Sequence, residues 1–395
     1  MMVELKDAMK QSRSMVKEIV REKTNNFETR LFWEESLRSW IVIDNDISKK
    51  ILTSSNFTAN RKKIFFKRLN LTNIQKIVLE HVYLNWLMYM DGTEHIALRK
   101  KMQKPVNKIK KEVTGISKEL SNEILQDLNG ELNVVKEITK PFSNTCLSKI
   151  FGLSIDDYIS ILNISTEAVN FLWKADPTES EISKTIDSII KTTNYIDNII
   201  SEKRYDDAGL FKLILDSISE EKEFIVALVN MLIDGHEPFQ SSLTNLIFYH
   251  IHNRERGFRD LNSKDLIHES IRYEPPFSYC ARECIKQSMI VDKLISVGDR
   301  VMMILYISNN NDKSISNQDN LSCTHSKKDS LSFGYGVHRC LGANITTLSL
   351  EGFLESFKKN DEHNNWQIKY YNHQTTYGFI EFKSLYIAPT NRYKV

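Results

Sequence analysis

The chain has 395 residues, with 53 Lys plus Arg against 51 Asp plus Glu and a formal net charge of +2. That balance argues against a nucleic-acid binder, which ordinarily carries a clear basic excess. Gly (13) and Pro (7) make up about 5% of the chain where roughly 12% is usual, and 41% of residues are hydrophobic. A mainly helical protein with a large core is therefore expected, rather than a sandwich, a barrel or a disordered chain. Five cysteines are too few and too odd in number for a disulfide framework, so reduced thiols in a cytoplasmic protein are expected. The N-terminal run MMVELKDAMKQSRSMVKEIV carries charges in every turn and reads as neither signal peptide nor anchor. No apolar run approaches the ~20 residues needed to cross a bilayer, so no membrane association is expected. Without repeats or linkers, residues 1–395 are expected to form a single domain.

In chain order, residues 39–54 read as a strand running into a short helix. Residues 94–125 have a charged helical pattern, with Lys100, Lys101, Lys104, Lys108, Lys110 and Lys111 making a basic surface. Residues 150–203 read as two amphipathic helices broken by an acidic stretch at Asp176–Glu181. Two further helices are expected over 208–255, the second with an apolar stripe of Phe224, Leu228, Met231 and Leu232. Residues 310–332 dissolve into Asn, Ser, Asp and Lys and read as an irregular loop. Residues 366–389 are rich in aromatic and β-branched types and read as strands.

Chemistry concentrates in FGYGVHRCLGA, Phe333 to Ala343. Glycines bracket Cys340, letting backbone N–H groups approach its sulfur, and a helix-like run follows whose N-terminus favours thiolate. That suits a thiolate ligand to a soft metal; the alternative is a buried structural cysteine. The segment resembles the cysteine-ligand loop of the haem-thiolate monooxygenases, the cytochrome P450 family. Its pattern F-G-x-G-x-H-x-C-x-G is met by Phe333, Gly334, Gly336, His338, Cys340 and Gly342. Upstream, ESIRYEPP resembles the family's E-x-x-R, with Glu269 and Arg272 as the structural lock of the haem loop. DGTEHIALRKK resembles a third signature, in which His95 and Arg99 share one helix face. The resemblance implies a mainly α triangular prism with small β-sheets. It also implies haem b, its iron bound axially by Cys340. His95, Arg99, Arg282 and His338 would hold the propionates, and the haem would lie between the Cys340 loop and the helix near 221–255.

Several positions depart from the family. Its D-P-P is here Asp91-Gly92-Thr93, and its A-N-R-D-P is SNNNDK. In the long helix, MLIDGHEPFQSS stands where the family shows A/G-G-x-D/E-T. Gly235 matches and Glu237 supplies the acid, but Asp234 replaces a small residue and Pro238 replaces the threonine whose hydroxyl bends the helix and aids proton delivery. Proline removes the N–H that would bond the Asp234 carbonyl, so a kink can survive without the hydroxyl. Three readings of Pro238 stand: a kink, with water or Ser241 serving for protons; a substrate-supplied relay; or peroxide use or another bypass. Asp234 either bonds to freed backbone or water, or meets a cationic or donating substrate group or the proton path. His236 reads as packing. Cys280 with Cys284, and Cys323 with His325, lack the grouping of a zinc site.

The resemblance implies a monooxygenase that activates O2 to hydroxylate or epoxidise a small organic, secondary-metabolite substrate, free or carrier-bound. Electrons would come from a ferredoxin and its reductase, docking at the basic surface with Arg339, Lys327 and Lys328. Pocket walls are expected from 75–90, the helices at 160–200, Phe277–Cys280 and Thr376–Tyr377, in a monomer. Two alternatives remain. One is a tailoring oxidase that couples, cyclises or desaturates without net oxygen insertion; the other is a catalytically silent haem domain that recruits a partner.

Overall fold

The structure, a computed structural model, describes residues 3–174, 176–218, 221–256, 261–310, 330–375 and 378–390. Its helices are α1 Leu5–Ala8, α2 Arg13–Lys23, α3 Asn45–Thr53, α4 Lys62–Arg68, α5 Asn73–Tyr83, α6 Gly92–Leu125 and α7 Lys140–Phe151. They continue as α8 Ile155–Asn170, α9 Glu179–Ser201, α10 Leu210–Ser217, α11 Glu221–Glu255, α12 Ser263–Tyr273, α13 Leu305–Ser308 and α14 Ala343–Asn364. The strands are β1 Leu31–Glu34, β2 Ser39–Val42, β3 Phe57–Thr58, β4 Leu132–Asn133, β5 Tyr279–Cys284, β6 Ser288–Ile290, β7 Lys293–Ile295, β8 Arg300–Ile304, β9 Trp366–Thr375 and β10 Ile380–Pro389. The fold is mainly α with small sheets, as the composition and the resemblance implied.

Helix starts follow side-chain chemistry. Asp44 accepts from the Ile47 amide at 2.9 Å, Ser154 from Asp157 at 3.0 Å and Asn262 from Asp265 at 3.0 Å. The acidic break before α9 is a capping box: Thr178 accepts from the Glu181 amide while the Glu181 carboxylate accepts from Thr178.

Helix α11 is apolar nearly all round through Phe224, Val226, Ala227, Leu228, Leu232 and Ile233, all buried. A helix of that kind belongs inside, and α11 packs against α7, α8, α10, α12, α14 and both long strands. The main core lies on one side, with Phe142, Phe353, Phe357 and Trp366; a satellite core of Phe66, Tyr83, Trp86 and Phe171 packs under α4, α5 and α8.

Helices α6 and α14 cross closely. A Cβ at Gly352 would stand 2.6 Å from the Thr114 carbonyl and 2.9 Å from Ser117 Cβ, so only glycine permits the approach. This crossing matters to the site, because α6 begins beside His95 and α14 begins just after Cys340. A five-stranded sheet in the order β1-β2-β8-β5-β3 flanks the helices, parallel only between β2 and β8. Its β5–β8 register opposes Arg282 to Val301. The strands expected at 366–389 pair as β9 and β10, joined by β4. Most of the loop expected at 310–332 lies outside the described residues, as do Cys323, His325, Lys327, Lys328, Thr376 and Tyr377.

Candidate active site

The Cys340 loop folds back on itself. The Cys340 amide donates to the Phe333 carbonyl at 2.7 Å and the Gly334 amide to the Leu331 carbonyl at 2.8 Å. Gly334 and Gly336 both adopt φ +70, left-handed backbone that glycine takes without strain. Burial raises the Cys340 thiol, while the amides of Gly342 and Ala343 and the guanidinium groups of Arg99 and Arg339 act the other way and favour thiolate. The residue is exposed, yet burial is the largest influence on its sulfur. Cys340 therefore lines a recess rather than the outer surface.

Polar groups from distant segments border that recess. His95 is 1% exposed and its Nε2 has no hydrogen-bond partner among the described residues. Its ring stacks on His338 with centroids 4.2 Å apart. Burial, then the charges of His338 and Arg99, bring His95 down to about 4, so it is neutral at physiological pH. Arg99 donates to the Arg339 carbonyl. Buried Arg282 donates to the Ala281 carbonyl at 2.9 Å and has no carboxylate partner among the described residues. His338 Nε2 stands 3.1 Å from Asp91 Oδ1, which leaves its Nδ1 for a ligand. Asp91 also accepts from the Ala59 amide at 2.9 Å. Gly92 takes φ +67, which a proline could not, and this accounts for Asp91-Gly92-Thr93 in place of D-P-P.

These groups fit a haem. A soft donor sits in an amide cradle, and an orphaned buried imidazole nitrogen, costly to leave unpaired at about 1–3 kcal/mol, stands with cations suited to carboxylate arms. Phe333, Gly334 and Gly342 shape the cradle; a Cβ at Gly342 would stand 3.9 Å from the sulfur.

The Glu269–Arg272 pair lies behind the loop. It is bidentate, with both N···O distances 2.9 Å, and both residues are buried. Arg272 also donates to the Asn309 carbonyl at 2.7 Å and Asn310 Oδ1 at 2.8 Å. The Asn309 side chain receives the Leu331 amide at 2.8 Å and donates to Ser332 Oγ at 2.9 Å. The asparagines of SNNNDK thus connect the pair to the strand of chain that leads to Cys340.

On α11, Gly235 and Glu237 are exposed although the helix runs through the core, and a Cβ at Gly235 would meet nothing within 4 Å. They border open space. The helix continues through Pro238 from Glu221 to Glu255. Ser241, which the sequence allowed as a proton carrier, donates to the Ile380 carbonyl at 3.0 Å, and Ser242 to the Pro238 carbonyl at 2.7 Å. Both hydroxyls are committed. Asp234 does not turn to the backbone that Pro238 frees. Asn230 satisfies both neighbours when its oxygen accepts the Leu87 amide at 3.1 Å and its nitrogen donates to Asp234 Oδ2 at 2.6 Å. Burial and the charge of Glu237 push Asp234 up to about 8, and burial raises Glu237. His236 is buried with its Nδ1 3.2 Å from the Tyr158 hydroxyl.

A sequence model of the family "Cytochrome P450" matches residues 263–360, which span both the Glu269–Arg272 pair and the Cys340 loop. The chain belongs to the cytochrome P450 family. It is 25% identical over 244 residues to cytochrome P450 119 of Sulfurisphaera tokodaii, covering 61% of this chain and 65% of that one. It is 24% identical over 247 residues to the biotin biosynthesis cytochrome P450 of Bacillus subtilis, covering 59% and 62%. These matches therefore span less than two thirds of either relative. The crystal structure of P450BioI in complex with hexadec-9Z-enoic acid ligated acyl carrier protein superposes with a TM-score of 0.79 at 17% identity, covering 95% of this chain and 100% of that one. CalO2 also gives 0.79 at 17% identity, covering 97% and 98%. These likenesses show the P450 fold. Proteins of this family bind haem through a cysteine thiolate.

Sequence reasoning missed Asn230 as a member of the site and named Asp91 only as part of a departure from the family pattern. Asn230 sits one helical turn before Asp234, a spacing that could have drawn attention to it. No helix among the described residues is long and apolar enough to cross a membrane.

Proposed function

We propose that this P450 is a monooxygenase that hydroxylates or epoxidises a small organic substrate, with residues 1–395 acting as one catalytic domain. The observation that carries this reading is the Cys340 sulfur, set in the amides of Gly342 and Ala343 on a recess wall. Bound haem would supply oxygen activation and one-electron chemistry. Cys340 would be its thiolate ligand, and the two amides and Arg99 would act against burial to favour that thiolate. His95 Nε2, Arg99, Arg282 and His338 Nδ1 would hold the propionates. Gly235 leaves space beside α11, and Glu237, exposed to that space, would pass protons.

Lys100, Lys104, Lys108, Lys110 and Lys111 are exposed on α6, the helix that carries His95 and Arg99. They offer a docking face for an acidic ferredoxin, and its affinity should fall with salt. Lys101 is set apart by its ion pair with Glu223 at 3.1 Å.

The test is Cys340→His. The wild-type protein is expected to show the red-shifted ferrous–CO band of a thiolate ligand, and the variant to lose it while keeping some haem; a variant that keeps the band overturns the assignment. A second reading, oxidation by coupling, cyclisation or desaturation, draws support from Ser241 and Ser242, whose hydroxyls are both donated to carbonyls. Oxygen-18 from O2 found in the product supports insertion; turnover without label supports the second reading.

A further inference from the structure

Three carboxylates gather where α11 meets β10: Asp234, Glu237 beside it, and Glu381, which Glu237 pushes up further after burial has raised it. None has a Lys, Arg or His ion-pair partner among the described residues. Asp234 Oδ2 takes the Asn230 amide at 2.6 Å, and its other oxygen has no hydrogen-bond partner among those residues. Beside it stands Tyr89, 4% exposed, whose hydroxyl bonds to no described residue. The Asp234 charge acts on that hydroxyl, and Arg61 covers one face of the ring at 5.5 Å. With that face occupied, Tyr89 offers its hydroxyl oxygen. The space beside Gly235 adjoins these groups.

A carboxyl in this setting is costly to ionise without a cationic partner, and asparagine would bond to Asn230 equally well, so the packing of α11 gives no reason for an acid here. A cation entering this space would favour the ionised form and gain both the Asp234 oxygen that has no partner among the described residues and the Tyr89 hydroxyl. We propose that Asp234 and Tyr89 receive the protonated nitrogen of the substrate, with Glu237 and Glu381 adding negative potential behind them, so that this P450 oxidises an amine-bearing molecule. The assignment rests on the monooxygenase reading above. Without ligand, Asp234 holds a proton at neutral pH, because burial and Glu237 place it at about 8. An incoming ammonium group displaces that proton, so binding releases it and tightens as pH rises toward 8. The titratable groups that face Asp234 in this are Glu237 on α11, Tyr83 on α5 and Tyr89 after it, with Glu381 on β10 acting through Glu237.

The experiment is calorimetric titration of the haem-loaded protein with N,N-dimethyloctylamine, N,N-dimethyloctanamide and nonanoate. The tertiary amine is protonated and too hindered to ligate iron well. It is expected to bind at least about tenfold tighter than the amide or the anion at pH 8, with a proton released at pH 7 as read from buffers of different ionisation enthalpy. Asp234→Asn should abolish both the preference and the proton release. Tyr89→Phe should weaken amine binding several-fold and leave the release intact. Equal or tighter binding of the amide or the anion to the wild-type protein overturns the proposal, as does an amine preference that survives Asp234→Asn. An intact thiolate CO band without amine preference refutes the substrate assignment alone; a missing band refutes the reading beneath it.

Discussion

Replacing Glu269 with alanine tests whether the fold and the haem loop depend on one buried pair. Arg272 is 3% exposed and Glu269 4%. The substitution removes two charge-assisted hydrogen bonds of 2.9 Å and leaves the guanidinium with two neutral acceptors, the Asn309 carbonyl and Asn310 Oδ1. Breaking a buried pair from one side ordinarily costs about 3–5 kcal/mol, and the surviving acceptors place the expectation near the lower bound, about 3 kcal/mol. Against a total stability of about 5–15 kcal/mol this is a large fraction. Haem retention should fall as well, because Asn309 also holds Leu331 and Ser332, which lead into Phe333 and Cys340. Guanidinium unfolding of the haem-loaded protein, followed by circular dichroism and by the haem band, measures both effects. The double replacement Glu269→Leu with Arg272→Met removes both charges and should recover much of the stability while haem retention stays impaired. A single Glu269→Ala variant within about 1 kcal/mol of wild type and fully loaded with haem would refute the argument.

Lys62 is buried, 3.4 Å from the Phe171 carbonyl and 4.4 Å above the Phe65 ring. Burial, then Arg61 and Arg300, lower it to about 7 from an ordinary 10.5. The folded state then sheds this proton above pH 7 while the unfolded chain keeps it to near 10.5, so stability should rise with pH across that window and carry the full penalty below it. Lys62→Met should flatten that rise and stabilise the protein at pH 6; thermal melts with unchanged pH dependence would contradict it. Pro238→Thr restores the N–H that the Asp234 carbonyl lacks and should stabilise the protein by about 1–3 kcal/mol. It should also hold or raise the share of electrons that reach product; a loss in both would mean that α11 needs the proline. Gly352→Val drives a side chain into the Thr114 carbonyl, 2.6 Å from its Cβ, and should cost about 1–3 kcal/mol or more with loss of haem, read by unfolding and the haem spectrum.

The sequence by itself determined what short spacings encode. Capping residues mark the starts of α8 and α9, the all-round apolar run marks α11 as an interior helix, and i,i+3 spacing puts Glu269 and Arg272 on one face. The glycines around Cys340 shape a loop whose amides turn to sulfur, and those contacts are local in the chain. Tertiary structure alone decided which distant groups meet. His338 turns to Asp91, far back in the chain, and Ser241 is taken by the Ile380 carbonyl. Arg13 in α2 reaches Glu274 and the Pro275 and Pro276 carbonyls. No periodicity predicts these pairings, because a buried polar atom bonds to whatever packing brings within about 3 Å. Asp234 shows both limits together. Its place in an atypical motif is legible at once, but its Asn230 partner, its other oxygen and the Tyr89 hydroxyl beside it, both without partners among the described residues, exist only once α5, the turn after it and α11 have packed.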